Sequence, residues 1–208
     1  MQAARPTESC IAAIVLCGGH STRMGTSKAM LRLGNETLLQ RIARISREVF
    51  EIVCVVAAQG QELPPLPPEV EIVRDSKPDC GPLQGILDGM THLACRADAA
   101  FVCACDMPLL TVEVIQFLVG QLGDNEIVMP QVDRHDQPLA AMYRMTVVDR
   151  AKKLLSGGRA GPIDLAKHCR TRRIHGDELR DVDPMLAALS SVDTPEQWKA
   201  ICELYRQY

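Results

Sequence analysis

Aromatic side chains are scarce in this sequence: one Trp, three Tyr and three Phe make up 3% of its 208 residues. Single-stranded nucleic acids are held largely by stacking of their bases on aromatic rings, and duplexes by a strongly basic surface. The chain has few aromatic rings, and its formal net charge is −3 at pH 7, so it has neither feature. We therefore expect no nucleic-acid partner.

Long apolar runs are also absent. No stretch reaches the roughly 18 residues that a membrane-spanning helix requires, and residues 1–6 lack the hydrophobic core of a secretory signal. These absences predict a cytoplasmic protein without a membrane partner.

The nine cysteines include no Cys-x-x-Cys pair, so neither a zinc site nor a disulfide framework is indicated. Four of them lie in apolar, strand-like runs, where a thiol packs as a small hydrophobic group: Cys17, Cys54, Cys103 and Cys105. We interpret them as reduced structural residues.

Segments with strand and helix patterns alternate along the chain. Apolar runs predict strands at 11–17, 52–57, 70–73, 99–105, 127–129, 139–145 and 172–174. Apolar residues at helical spacing predict helices at 37–49, 83–93, 111–122, 147–155, 163–168 and 195–204. The alternation predicts a three-layer, doubly wound α/β fold with a mostly parallel sheet. We expect one domain over residues 1–208, with residues 1–9 as a flexible N-terminal extension.

A basic, glycine-rich loop follows the first predicted strand. Gly18 and Gly19 come directly after the strand, and the segment 10–35 contains Arg23 and Lys28 but no Asp or Glu. Glycines let backbone N–H groups approach an anion closely, and fixed cations reinforce such a cradle. The loop matches neither the P-loop nor the dinucleotide-binding pattern. It therefore predicts a site for a phosphate-bearing small molecule of another kind.

Two carboxylates follow later strands of the predicted sheet. Ligands of α/β sheets bind at the carboxyl ends of the strands, and Asp106 stands at such an end. It suits Mg²⁺, which prefers carboxylates combined with phosphate oxygens and water. Its alternative role, capping the next helix, is better served by Thr111. Asp75 ends another strand and could join Asp106 around the metal, contact the nucleotide, or simply form a turn.

Four motifs taken in order resemble a known family. They are Leu16-Cys17-Gly18-Gly19, Arg23-Met24-Gly25 with Lys28, Gly81-Pro82-Leu83-x-Gly85, and Cys105-Asp106-x-Pro108. The chain resembles the nucleotidyltransferases with the loop Leu-Ala-Gly-Gly-x-Ser-x-Arg-Met-Gly-x-x-Lys and, among these, the molybdenum cofactor guanylyltransferases. The resemblance extends over nearly the whole chain.

The resemblance implies a nucleotide-diphospho-sugar-transferase-like fold of the Rossmann-like kind. It also implies transfer of GMP from GTP to the phosphate of molybdopterin, release of pyrophosphate, Mg²⁺ as the cofactor, and transient contact with proteins that handle the molybdenum cofactor. The resemblance places Leu16, Cys17, Gly18 and Gly19 around the nucleotide, and the first three of these would make backbone contacts. Asp75 would make a further contact to the nucleotide. Lys28 and Arg23 would bind the triphosphate, and Asp106 would hold Mg²⁺. Lys28, Arg23 and Asp106 are the expected catalytic residues.

Several positions depart from the family pattern. Ser27 stands where Asp is common, Gln137 stands where His often precedes Pro-Leu, and the familiar Asn-x-Asn-Thr-Pro reads Ser191-Val192-Asp193-Thr194-Pro195. The last two changes fall in the half expected to recognise the acceptor. Two alternatives therefore stay open: a nucleotidyltransferase that uses CTP or a sugar phosphate, and a nucleotide-binding protein without activity.

Overall fold

An eight-stranded sheet forms the centre of the computed structural model, which describes residues 10–18 and 27–205. Its strands are β1 (Ile11–Leu16), β4 (Val53–Ala57), β5 (Val70–Arg74), β6 (Ala99–Ala104), β7 (Ile127–Val132), β8 (His135–Asp136), β9 (Ala140–Arg144) and β10 (Thr171–His175). A separate two-stranded hairpin consists of β2 (Arg32–Leu33) and β3 (Glu36–Thr37). The helices are α1 (Leu38–Val49), α2 (Pro82–His92), α3 (Val112–Gly120), α4 (Val148–Ser156), α5 (Pro162–Lys167), α6 (Gly176–Leu179) and α7 (Pro195–Tyr205).

The strand order is β10-β7-β9-β6-β1-β4-β5, with β8 paired to β7. Four adjacent strands, in the order β6-β1-β4-β5, run parallel to one another. Strand β10 is parallel to β7. Strand β9 is antiparallel to both β6 and β7, because the β7–β8 hairpin turns the chain back before β9. The predicted mostly parallel α/β sheet is confirmed, with β9 and the two-residue β8 as the reversed strands within it.

Helices cover both faces of the sheet, as the three-layer prediction requires. Side chains of β1 alternate between two buried clusters, so that Ala13 and Val15 face α1 and α3 while Ile14 and Leu16 face α2, α4 and α5. The four cysteines predicted to be structural are buried in these clusters. Burial raises the pKa of the Cys54 and Cys103 thiols to about 12, so they stay protonated and pack rather than react.

Helix starts follow the local sequence. Thr37 and Gln40 form a capping box at α1, each side chain accepting a hydrogen bond from the other residue's backbone N–H. Thr111 accepts a hydrogen bond from the N–H of Val114 and so caps α3, as predicted. Asp106 is thereby left for another role.

Helix α2 packs very closely on β1 through two glycines. A Cβ atom on Gly89 would lie 2.7 Å from Cγ2 of Ile14, and one on Gly85 would lie 3.3 Å from Cδ2 of Leu16. Both distances are tighter than a normal carbon–carbon contact. This packing fixes the N-terminal end of α2 at the carboxyl edge of the sheet.

No helix among the described ranges 10–18 and 27–205 is long and apolar enough to cross a membrane. The proposed flexible extension, residues 1–9, lies outside the described residues. One sheet covered by helices on both faces supports the proposal of a single domain.

Candidate functional site

The carboxyl ends of β1, β4, β5 and β6 meet at one edge of the sheet because these strands are parallel. The residues that follow them are Cys17 and Gly18 after β1, Ala58 after β4, Asp75 after β5 and Cys105 and Asp106 after β6. Of the residues singled out in the sequence, Gly18 and Asp106 follow adjacent strands. Gly19 and Arg23 lie outside the described residues.

Lys28 joins this edge through two short ion pairs. Its Nζ donates to Oδ2 of Asp106 and to Oδ1 of Asp193, each at 2.6 Å. The side chains of Lys28 and Asp106 are mostly buried, at 19% and 15% exposure, whereas that of Asp193 is 50% exposed. One side of the cluster is therefore open to solvent.

Partial burial opposes the charge on Lys28, but the hydrogen bonds and charges of Asp106 and Asp193 outweigh it and raise the pKa of the ammonium. Lys28 is consequently cationic at neutral pH. Its position between two carboxylates shows that this part of the edge favours a positive charge.

Asp193 is a further member of this cluster, although the sequence pattern of its segment predicts a role in recognising the acceptor. Two features hold it here: the N–H of buried Val192 donates to the carbonyl of Asp106 at 3.0 Å, and the N–H of Asp193 donates to Oε1 of Gln197 at 2.7 Å. The first fixes the segment to the end of β6 and the second to the start of α7. An acid before Thr-Pro at a helix start was the available signal, but it does not reveal the contact across the fold.

The end of β1 offers one free backbone donor. The N–H of Cys17 donates to the carbonyl of Val56 at 2.8 Å, and the carbonyl of Leu16 accepts from the N–H of Cys105 at 2.9 Å. The N–H of Gly18 has no partner among the described residues, and Gly18 is exposed. Leu16, Cys17 and Gly18 were predicted to contact the nucleotide through their backbone. Among them, the N–H of Gly18 is the donor that remains available to a ligand within the described residues.

Asp75 lies apart from Asp106. Strands β1 and β4 separate β5 from β6, and strands are spaced about 4.8 Å apart, so the two strand ends are on the order of 14 Å from each other. Burial raises the pKa of Asp75, the N–H of Lys77 opposes this shift, and the adjoining Asp88 carboxyl raises the pKa further. The hypothesis that Asp75 joins Asp106 around one metal ion does not fit this sheet order.

The Gly81-Pro82 motif begins α2 as predicted, with Gly81 at φ 82° and Pro82 in the first turn. Gln84 is buried and donates to Ser76 and Asp88, so the loop before α2 is held against the helix. The N-terminal end of α2 therefore has a defined place at the carboxyl edge.

A cleft of about 780 Å³ lies between α4 and α5. Because β9 is reversed, α4 begins near the amino edge of the sheet, where Arg150 forms an ion pair with Glu126 just before β7. Basic side chains line the cleft: Arg150, Lys153, Arg159 and His168. Among the residues the structure describes, Lys153 and Arg159 have no ion-pair partner.

Within the described part of the chain, no group of three or more His, Cys, Asp or Glu side chains is arranged to hold a metal ion. Asp106 and Asp193 provide two carboxylates. Further ligands at this place would have to come from a substrate or from water.

Comparisons with known proteins agree with this architecture. The model of the MobA-like NTP transferase domain matches residues 13–170. The probable molybdenum cofactor guanylyltransferase of Mycobacterium ulcerans is 38% identical over 190 residues, covering 89% of this chain and 92% of that protein. Molybdopterin-guanine dinucleotide biosynthesis protein A from Archaeoglobus fulgidus superposes with a TM-score of 0.77 at 21% identity, over 95% of this chain and all of that one. The Rv0371C protein of Mycobacterium tuberculosis H37Rv, in a complex with manganese, gives a TM-score of 0.68 at 16% identity, over 94% of this chain and 99% of that one.

Proposed function

The chain belongs to the family of MobA-like NTP transferase domains and is a nucleotidyltransferase of molybdenum cofactor biosynthesis; we propose that it transfers GMP from GTP to the phosphate of molybdopterin. The observation that carries the proposal is the convergence of Lys28, Asp106 and Asp193 at the sheet edge where Gly18 has an N–H without a partner among the described residues. These groups bring one ammonium, two carboxylates and one backbone N–H together at the carboxyl edge of the sheet.

Nucleotidyl transfer requires no nucleophile from the protein. An oxygen of the acceptor phosphate forms a bond to the α-phosphorus of GTP, and the bond from that phosphorus to the bridging oxygen of pyrophosphate breaks. Catalysis then rests on alignment and on neutralising the phosphate charge. Lys28 is a fixed cation suited to the triphosphate, and the N–H of Gly18 is suited to an acceptor atom of the nucleotide. We propose that Gly19 and Arg23 complete this loop around the phosphates, and that Asp75 contacts the nucleotide from the far side.

Mg²⁺ fits the donor set. The carboxylate oxygens of Asp106 and Asp193 each lie 2.6 Å from one ammonium nitrogen, so they are no more than twice that distance apart. Mg²⁺ commonly binds one or two carboxylates and completes its shell with phosphate oxygens and water. Asp106 would hold the ion with Asp193 as its partner, and the ion would neutralise phosphate charge.

The basic cleft between α4 and α5 supports an anionic acceptor. Lys153 and Arg159 present charges that no acidic side chain of the described residues neutralises, and the one acid in the lining, Asp164, is already bound by Lys167 and the N–H of Gly161. A phosphate monoester fits this surplus of positive charge. Guanine as the base is supported by the relatives named guanylyltransferases.

Pyrophosphate release tests the proposal. Purified protein with Mg²⁺ and molybdopterin should release pyrophosphate from GTP and much less from CTP, ATP or UTP. Faster release from CTP would replace guanylyl by cytidylyl transfer. Nucleotide binding without pyrophosphate release would support a non-catalytic nucleotide-binding protein.

The acceptor side is tested separately. Lys153→Ala should raise the KM for molybdopterin and leave the KM for GTP unchanged. Lys152→Ala is the matched control, because Lys152 is next to it on α4, pairs with Asp149 and does not line the cleft. Equal effects of the two variants would remove the cleft from the acceptor site.

A further inference from the structure

The carboxamide of Gln61 connects the ends of β1 and β4. Its Nε2 donates to the carbonyl oxygen of Cys17 at 3.0 Å, and its Oε1 accepts from the N–H of Ala58 at 3.0 Å. We infer that Gln61 is a positioning residue that orients the N–H of Gly18 toward the nucleotide, an inference that rests on the proposed nucleotide site.

One peptide unit, between Cys17 and Gly18, contains both the carbonyl that Gln61 binds and the N–H of Gly18. A trans peptide is planar, and its C=O and N–H point in opposite directions. The hydrogen bond from Gln61 fixes the direction of the Cys17 carbonyl and therefore also fixes the N–H of Gly18. This N–H has no partner among the described residues.

The neighbouring residues leave this peptide few other restraints. The N–H of Cys17 is held by Val56, but Gly18 has no Cβ and is exposed, so rotation about its own backbone bonds is nearly free. A Cβ at Gly18 would lie 3.4 Å from the nitrogen of Ala58, and the absence of a side chain lets the two strand ends approach. Gln61 supplies the restraint that glycine lacks.

The turn that carries Gln61 is itself fixed. Arg74 donates from Nη1 to the carbonyls of Ala58 and Gln61, at 3.0 and 2.9 Å, and the N–H of Gln61 donates to the carbonyl of Ala58 at 3.2 Å. Gly60 adopts φ +69°, which the tight turn requires and which suits glycine. The carboxamide therefore acts from a rigid base rather than from a free loop.

The consequence is specific to the nucleotide. Transfer chemistry is sensitive to small displacements of the groups that align the substrate. Loss of the Gln61 bond should leave the sheet intact but allow the Cys17–Gly18 peptide to rotate. The affinity for the nucleotide should fall, and the affinity for the acceptor should not.

Gln61→Met tests this, because methionine keeps the side chain's length and removes the hydrogen bonds of the carboxamide to Ala58 and to the carbonyl oxygen and Sγ of Cys17. Gln59→Met is the matched control: Gln59 lies in the same turn and is exposed, and within the described part of the chain its side chain donates only to the carbonyl of Asp75. We expect Gln61→Met to raise the KM for GTP about tenfold, the loss expected for one backbone-type hydrogen bond, with an unchanged KM for molybdopterin. Gln59→Met should match the wild type in both constants.

A ligand-free measurement separates this inference from the proposed function. In ¹⁵N-glycine-labelled protein, the Gly18 amide should give a sharp resonance in the wild type and in Gln59→Met, and an exchange-broadened one in Gln61→Met. The same sharp Gly18 resonance in all three proteins would overturn the positioning role, whichever nucleotide the enzyme uses. Preference for CTP in the wild type would overturn guanine as the proposed base. The ratio of the KM values for the preferred nucleotide in Gln61→Met and Gln59→Met would still test whether Gln61 is a positioning residue.

Discussion

The ammonium of Lys28 lies 2.6 Å from Oδ1 of Asp193, although 165 residues separate them in the sequence. The contact joins the loop that follows β1 to the segment that begins α7. Because Asp106 shares the same ammonium, the end of β6 belongs to the contact as well. Three distant parts of the chain thus form one charged cluster at the carboxyl edge.

Lys28→Ala should weaken binding of GTP by about 1.5–3 kcal/mol, the range for hydrogen bonds to charged groups. Isothermal calorimetry in the presence of Mg²⁺ measures this directly. Lys77→Ala, which removes an exposed lysine from the loop before α2, serves as the control and should bind GTP as the wild type does. Equal affinities for wild type and Lys28→Ala would exclude Lys28 from the triphosphate site.

Asp193→Asn and Asp106→Asn should shift the dependence of activity on Mg²⁺ to higher concentration, because each removes one negative charge from the donor set. The larger effect is expected for Asp106, which is the more buried of the two. A titration of initial rate against Mg²⁺ at saturating GTP gives the half-maximal concentration for each variant. If both titrations coincide with that of the wild type, these carboxylates do not hold the ion.

The strand ends that carry Gly18 and Asp106 could be predicted because buried parallel strands give continuous apolar runs that end at polar residues. The position of Asp193 could not, since it depends on the path through Leu186 at φ 52° and on the bond from Val192 to Asp106. No local pattern encodes that path.

Asp75 illustrates a second limit. It ends the strand that precedes β6 in chain order, but sheet order places β1 and β4 between them. The hairpins β2–β3 and β7–β8 were not predicted either, because two-residue strands are too short to show an alternating pattern.

Gly89→Ala should destabilise the fold by about 1–3 kcal/mol, the usual cost of overpacking. The added methyl group would meet Ile14 at 2.7 Å. Gly120→Ala is the control, because nothing lies within 4 Å of a Cβ at the end of α3, and it should be neutral or slightly stabilising. Urea unfolding compares the two, and a neutral Gly89→Ala would contradict the close packing of α2 on β1.

Glu71 predicts a defined pH dependence of stability. Hydrogen bonds from Arg96 and His92 lower its pKa from the ordinary 4.5 to about 2. The ionised carboxylate therefore stabilises the fold fully above about pH 4.5, and this contribution is lost as the pH falls toward 2. Glu71→Gln should lower Tm at pH 6, and the difference from the wild type should shrink below pH 4.5.

The control for this titration is Glu113→Gln on α3, since Glu113 is exposed and has no ion-pair partner among the described residues. Its Tm difference from the wild type should stay small at every pH. A Glu71→Gln difference that is constant from pH 6 to pH 3 would show that the ion pairs of Glu71 do not stabilise the fold.

A crystal structure with a non-hydrolysable GTP analogue and Mn²⁺ tests the central claim most directly, because anomalous scattering locates the metal independently of the model. We expect the metal peak between the carboxylates of Asp106 and Asp193, with Nζ of Lys28 moved onto the phosphate oxygens and the N–H of Gly18 facing the nucleotide. A nucleotide bound at this edge with the metal peak elsewhere, or Lys28 still paired to both carboxylates, would contradict the account.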